Sequence, residues 1–344
     1  MSNHPPATDS RTVPEHGRRR LGRRRRAIRR TVLGVSAVVL AAVLAVGGFL
    51  WYLGTTFDQE TNTIANALPV EKPARPAAAE KARNILLMGS ESRNPAGGDA
   101  TPDMMMLLHV PGDRKGIYAM SLMPHTVVDV PGHGRQPIDA AMALGGVSLT
   151  VEAAQNLLDV PIDHVVVVDF EGFRGLTSAL GGVTLDNDAA FQSDGVNGES
   201  FAAGPITVEG ESALDYVRTR HAFAGDGDGR RVRNQQAFLT GVLDGVLDRG
   251  MLTSPVKVGN VVNEISPYLS VDEDFNSKTA GTLAFSMRGI DSGDVHVFTM
   301  PSRGAGTTED GTALVVPDPE ALADIRAALA EDDLAPLAGR LPRS

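Results

Sequence analysis

A chain of 344 residues, 42% hydrophobic and 22% charged, is long enough to bury a substantial core in one large domain or two small ones. It contains no cysteine, which excludes disulfides and thiolate metal sites. The net charge of -10 is unevenly spread: residues 1–30 hold ten of the 32 basic residues and two of the 42 acidic ones, leaving an acidic body that argues against nucleic acid as a partner.

The first element in chain order is residues 31–53, TVLGVSAVVLAAVLAVGGFLWYL, a run without one charge. At ~1.5 Å per residue it spans roughly 34 Å, enough for a bilayer core. A cleaved signal peptide has a shorter apolar core, about 7 to 15 residues. Trp51 and Tyr52 suit a membrane interface, and the arginines from Arg18 to Arg30 are a positive-inside signal. The expectation is a single-pass anchor in the cytoplasmic membrane. Residues 1–30 then form a cytoplasmic Arg-rich tail, and everything from about Gly54 onward is extracytoplasmic. Residues 54–80, rich in Ala and Pro, predict a spacer. The folded domain is expected over 81–335, with 336–344 as a tail.

Within the body, short apolar runs at 84–88 (NILLM), 104–110 (MMMLLHV) and 116–122 (GIYAMSL) predict buried strands. Residues 147–158 have helical spacing, 164–170 (HVVVVDF) are strand-like, and FEGFRGLTSAL reads as a helix stopped by Gly181 and Gly182. The alternation predicts an α/β fold with a central mixed sheet flanked by helices.

The chemistry gathers in DYVRTRHAFAGDGDGRRVRNQQAFL, which carries Arg218, Arg220, Arg230, Arg231 and Arg233. GESALDYV predicts a helix; an extended chain after Val217 aims Arg218 and Arg220 the same way. A second helix is predicted from Arg231 to Arg249 on the stripe of Phe238, Leu239, Val242, Val246 and Leu247. Arg231 and Gln235, four apart, share its face, and after GDGDG its first turn would favour an anion. Two readings stand: a phosphate or pyrophosphate site, or arginines neutralising local acids such as Asp215, Asp226 and Asp228. Glu91 and Asp103 flank the gap between two predicted strands. Two carboxylates there suit Mg2+ beside substrate phosphates, or simply cap the strands.

These segments resemble the LytR-CpsA-Psr family. NILLMGSESR, PDMMMLLHV, SLMPHTVVDVPG, DAAMALGG, IDHVVVVDFEGFRGLTSALGGVTL, GESALDYVRTRH and RRVRNQQAFL occur in that family's order, from about Asn84 to near Ala330. The resemblance implies a membrane-anchored extracytoplasmic phosphotransferase. Such an enzyme moves a glycopolymer from a polyprenyl-pyrophosphate carrier to a peptidoglycan acceptor through a phosphodiester. It further implies that Arg93, Arg218, Arg220, Arg231 and Asp103 are catalytic, and that Gln235 binds substrate with these arginines. Glu91 and Asp103 would hold Mg2+ (or Mn2+), although Glu91 stands where the family usually has Asp. Three segments depart from the family pattern. Thr101-Pro102-Asp103 stands for R-S-D, Met123-Pro124-His125 for I-P-R-D, and Pro137-Ile138-Asp139 for K-I-N. His125 and Arg135 are the cations expected to replace the lost ones, His125 as a substrate-binding residue. The alternative expectation is a catalytically weakened homologue that binds polyprenyl (pyro)phosphate lipid as a scaffold or regulator of wall assembly.

Overall fold

A computed structural model describes residues 41, 43–91, 101–195, 198–219, 227–252, 254–307 and 313–341. The chain divides into two units, Met1–Tyr52 and Leu53–Ser344. In the first, residues 43–52 are helical. Residues 31–40 and 42 of the expected membrane segment lie outside the described residues, as does the expected cytoplasmic tail. Among the described residues no helix is long and apolar enough to cross a membrane.

The second unit opens with helix α1 (residues 53–60). There follow β1 (Asn62–Ile64), β2 (Arg83–Ser90), β3 (Pro102–Val110), β4 (Ile117–Leu122), β5 (Val127–Val130) and β6 (Gly134–Pro137). Helix α2 (Ala140–Leu158) leads to β7 (His164–Asp169), α3 (Phe170–Leu180), β8 (Val183–Asn187), β9 (Phe191–Gln192), β10 (Ser200–Phe201) and β11 (Gly204–Val208). Four helices come next: α4 (Gly210–Arg218), α5 (Gly227–Leu247), α6 (Arg249–Leu252) and α7 (Pro255–Ile265). The chain continues through β12 (Leu269–Asp272), α8 (Ser277–Ser286), β13 (Val295–Thr299), β14 (Ser302–Thr307), β15 (Ala313–Pro317), α9 (Pro319–Glu331) and α10 (Ala335–Ala338).

Seven strands form one mixed sheet in the order β1-β12-β7-β2-β3-β4-β13. β2 runs parallel to β7 and antiparallel to β3. The expected α/β class with a central mixed sheet is therefore observed. Alternation along the central strands sorts side chains between two faces. Leu86, Met88, Met105, Leu107, Val165 and Val167 join Val151, Leu158, Ile325 and Leu329 in one buried core. Their neighbours Ile85, Leu87, Met104, Leu108, Val166 and Val168 face a cavity on the other side. Both faces of these strands are thus covered by apolar groups, which is why NILLM and VVVV read as continuous runs.

A second core packs α3, α4 and α5 against the β8–β11 strands, with Phe191, Tyr216 and Phe238 at its centre. Burial pushes the Tyr216 phenol up to about 12. α3 starts where the Asp169 carboxylate accepts from the Gly172 amide at 2.8 Å. It ends at Gly181, whose φ of 77° is left-handed. α5 lies close on β8: a Cβ on Gly241 would stand 2.5 Å from the Thr184 carbonyl oxygen.

Three expectations need correction. Residues 54–80 do not form a free spacer: β1 pairs with β12 in the main sheet, Ile64 and Ala67 are buried in the core, and Arg75 binds Asp163 at 2.7 Å. Their Ala-Pro composition hides small apolar groups that pack. α4 stays helical through Arg218, so the chain is not extended directly after Val217. α5 begins at Gly227, four residues before the predicted start. GDG, poor in helix formers, is nevertheless wound into its first turn, so Arg231 does not sit at a free helix N-terminus.

Candidate functional site

Between the sheet and the α3–α5 layer lies a cavity of about 340 Å³. Its walls are Val166 and Val168 of β7, Phe173 and Leu176 of α3, Phe238, Leu239 and Val242 of α5, with Leu269 and Phe275 deeper in the chain order. Among the described residues, the charged or amide side chains lining it are Asp103, Asp169, Arg218 and Gln235. Asp103, Asp169 and their neighbours sit at the strand ends where β2 finishes, β3 starts and β7 finishes.

A register shift presents Asp103. Gly89 pairs with Met104 and Ser90 with Pro102, leaving Asp103 opposite no residue. Such an extra residue bends the strand and re-aims its side chain. Glu91 follows directly on Ser90 at the end of the neighbouring strand and is exposed. The two carboxylates thus belong to adjacent strand ends, and their oxygens are the donor type a hard divalent cation takes. Among the described residues no group of three or more His, Asp or Glu side chains is gathered to hold a metal ion.

Arg218 closes α4 and leans over the ring of Phe170, with 4.5 Å from its guanidinium carbon to the ring centroid. Its Nε lies 3.9 Å from Asp103 Oδ2, and 45% of the side chain remains accessible. The last carbonyls of a helix lack intrahelical donors. Here the Asp215 carbonyl accepts from the Thr219 amide and hydroxyl, the Tyr216 carbonyl from Asn234 Nδ2 at 2.9 Å, and the Val217 carbonyl from Gln235 Nε2 at 3.5 Å. Gln236 reaches the other way, donating to Thr299 Oγ1 at 2.7 Å and Ser121 Oγ at 3.3 Å. The RNQQ segment therefore fastens α5 to both the end of α4 and the sheet, which sets Arg218 beside Gln235 at the cavity.

The four described arginines of this stretch do not act as one cluster. Arg230 is buried and donates to Asn187 Oδ1 at 3.0 Å and the Ala189 carbonyl at 3.1 Å, and it pairs with Asp188. Arg233 faces Asp188 as well, at 3.9 Å. For these two the acid-neutralising reading holds, with an acid the sequence analysis did not single out. Arg231 is buried one turn before Gln235 on the same helix face and is not among the cavity-lining residues. Arg93 and Arg220 lie outside the described residues.

Both expected substitute cations are elsewhere. His125 Nδ1 lies 3.1 Å from Asp139 Oδ2, so two of the departing positions pair with each other, and neither lines the cavity. Arg135, on β6, lines a separate groove with Arg303 and Arg326. The residues sequence reasoning missed are Asp169 and Phe170. Both stand in the quoted DFEGF segment, and an acid before a helix with glycine three residues on was a readable N-cap signal.

The comparisons with known proteins agree with this architecture. Residues 49–331 match the LytR_cpsA_psr family. The chain is 28% identical over 309 residues to a polyisoprenyl-teichoic acid–peptidoglycan teichoic acid transferase TagU of Bacillus licheniformis, covering 86% of this chain and 94% of that protein. It is 28% identical over 319 residues to the TagU of Bacillus subtilis, covering 90% and 97%. Among solved structures, B. subtilis TagV superposes with a TM-score of 0.64 at 24% identity, over 74% of this chain and 97% of that one. A LytR-Csp2A-Psr enzyme from Actinomyces oris gives a TM-score of 0.63 at 18% identity, over 79% and 96%. With residues 49–331, most of its length, matched by the family model, the chain belongs to the LytR_cpsA_psr family.

Proposed function

We propose that the chain is a membrane-anchored extracytoplasmic phosphotransferase that moves a glycopolymer from a polyprenyl-pyrophosphate carrier to peptidoglycan. The observation that carries this reading is an apolar cavity with a few polar groups led by Arg218. A polyprenyl chain needs an apolar enclosure, and its pyrophosphate needs cations at the rim. Relatives named as transferases between a polyisoprenyl-linked teichoic acid and peptidoglycan support the substrate class.

In this reading Arg218 holds a phosphate oxygen, steadied by the Phe170 ring below it, with Gln235 bonding to the head group and Arg220 and Arg93 as further cations, while the buried Arg231 adds its charge from behind the cavity wall. A sugar hydroxyl oxygen attacks the phosphorus next to the glycan, the bond to the bridging oxygen breaks, and polyprenyl phosphate leaves with its electron pair. The hydroxyl proton passes to a carboxylate, Asp103 or Glu91, a role that competes with metal ligation at either residue. Mg2+ (or Mn2+) held by Asp103 and Glu91 would supply charge neutralisation of the two phosphates. The arginine-rich residues 1–30 stay inside and the uncharged run spans the cytoplasmic membrane.

The test is phosphodiester transfer by the full chain in detergent, with a polyprenyl-pyrophosphate oligosaccharide, a peptidoglycan acceptor and Mg2+. Arg218→Ala lowers the rate about 100-fold to 1000-fold. Equal rates in the two proteins would refute the assignment. A second reading, a carrier-binding homologue without turnover, is favoured by the placement of His125 on Asp139 and Arg135 in another groove. Pro124→Arg separates the two: a gain of about ten-fold or more marks a site weakened by the lost cation.

A further inference from the structure

At the opposite end of the sheet, where β2 starts, β3 ends and β7 starts, a second cavity of about 520 Å³ lies against α8. Its walls carry Arg83, Arg114, His164 and Lys278 against one acid, Asp274. His164 is held by Asp272, Nδ1 to Oδ1 3.2 Å, and Asp272 also takes the amides of Val165 and Asp274. Arg114 donates to the carbonyls of Val110, Pro111 and Lys81, and Arg83 to those of Glu80 and Ala82. Both guanidinia are thus fixed by neutral carbonyl acceptors, with no carboxylate in direct contact. Among the described residues, Arg83, Arg114 and Lys278 form no ion pair. Burial first, then the nearby Arg83, hold the Arg114 guanidinium below its usual range, with Asp332, Asp163 and Asp113 opposing.

Position gives this pocket a neighbour. α8 has no buried residue, and Phe285 on it is 68% exposed with Arg288 stacked on its ring at 4.3 Å. The helix is tied to α1: Ser277 donates from its amide and its hydroxyl to Asp58, each at 2.7 Å, and Phe57 meets Phe275 at 6.4 Å. Asp58 follows the end of the uncharged run by about 8 Å of helix at ~1.5 Å per residue. The start of α8 is therefore tied to α1, and the cationic pocket and Phe285 lie along the same helix.

We propose that this pocket is a second lipid site, binding the phosphate head group of an anionic phospholipid of the membrane that anchors the chain, with Phe285 resting in the adjacent interface. The lipid supplies the anion that Arg83, Arg114 and Lys278 lack, and it orients the domain on the bilayer. This inference rests on the membrane-anchor reading above.

The full chain is placed in nanodiscs of phosphatidylcholine, with or without phosphatidylglycerol, and amide exchange is followed by segment, so that the arginine tail does not confuse the result. Residues 277–286 become protected with phosphatidylglycerol and not with phosphatidylcholine alone. Lys278→Gln, an exposed change, raises the phosphatidylglycerol fraction needed for half-protection about five-fold, and Lys278→Arg leaves it unchanged. Equal protection in both lipids, indifference to Lys278→Gln, or the same protection from inorganic phosphate over phosphatidylcholine overturns the proposal. Failure of the chain to co-elute with either nanodisc would instead refute the anchor on which it rests.

Discussion

Arg218 and Arg230 come from one short arginine-rich stretch and end in opposite environments. Arg218, at the last residue of α4, is nearly half accessible, stacked on Phe170 and only loosely paired with Asp103. The Arg230 side chain is 4% accessible and closes around Asn187, Asp188 and Ala189. The difference teaches that the partner of an arginine is set by the helix face and the layer it meets, not by the neighbours it has in sequence. One arginine keeps an accessible side chain at the cavity while the other is spent on the protein's own acceptors.

The largest effect that breaks this comparison is on turnover. Arg218→Ala should reduce transfer about 100-fold to 1000-fold while its unfolding free energy, read by urea titration, shifts by no more than about 1 kcal/mol, since an exposed charge contributes little. Arg230→Ala should do the reverse. Losing a buried donor to two acceptors and an ion pair lowers stability by about 3 kcal/mol in the same titration. An Arg230→Ala protein of unchanged stability would mean the buried network is not what holds β8 to α5.

A third change sharpens the contrast from the apolar side. Leu239→Trp adds bulk at the cavity wall and should weaken binding of a long polyprenyl phosphate about ten-fold, with little change for a short-chain analogue of the same head group. Equal losses for both chain lengths would argue that the tail lies elsewhere.

The smallest effect is a pH dependence at the far end of the sheet. Burial alone would raise the Asp332 carboxyl, but the His109 ring at 3.0 Å and the Gly112 amide at 2.8 Å hold it below the usual range. A carboxyl depressed in the folded state stabilises above its unfolded pKa of about 3.9 and loses that contribution as pH falls through the folded value. The stability gap between the wild type and Asp332→Asn should therefore shrink as pH falls below about 4. A gap that widens on acidification would reverse the sign assigned here.

The elements that place the site were mostly readable in advance. The runs at 84–88, 104–110 and 164–170 are strands within a residue or two, and the glycines after Leu180 end α3 as expected. The misreadings share a cause. Residues 54–80 looked like a spacer and the helix looked as if it began only at Arg231 because composition scores local preference, while pairing with β12 is a long-range gain.

The sequence by itself determined the fold class, the candidate membrane anchor and the identity of the candidate cations and carboxylates, because strand and helix periods and charge are local properties written in the order of residues. Tertiary structure alone decided which of those groups meet. Arg230 finds Asp188 from 42 positions away, His125 finds Asp139, Asp103 is turned out by a register shift against β2, and Arg218 comes to rest on Phe170. The physical reason is that a side chain's partner depends on the distance left when two cores close around the sheet, and that distance follows from the packing of every layer at once.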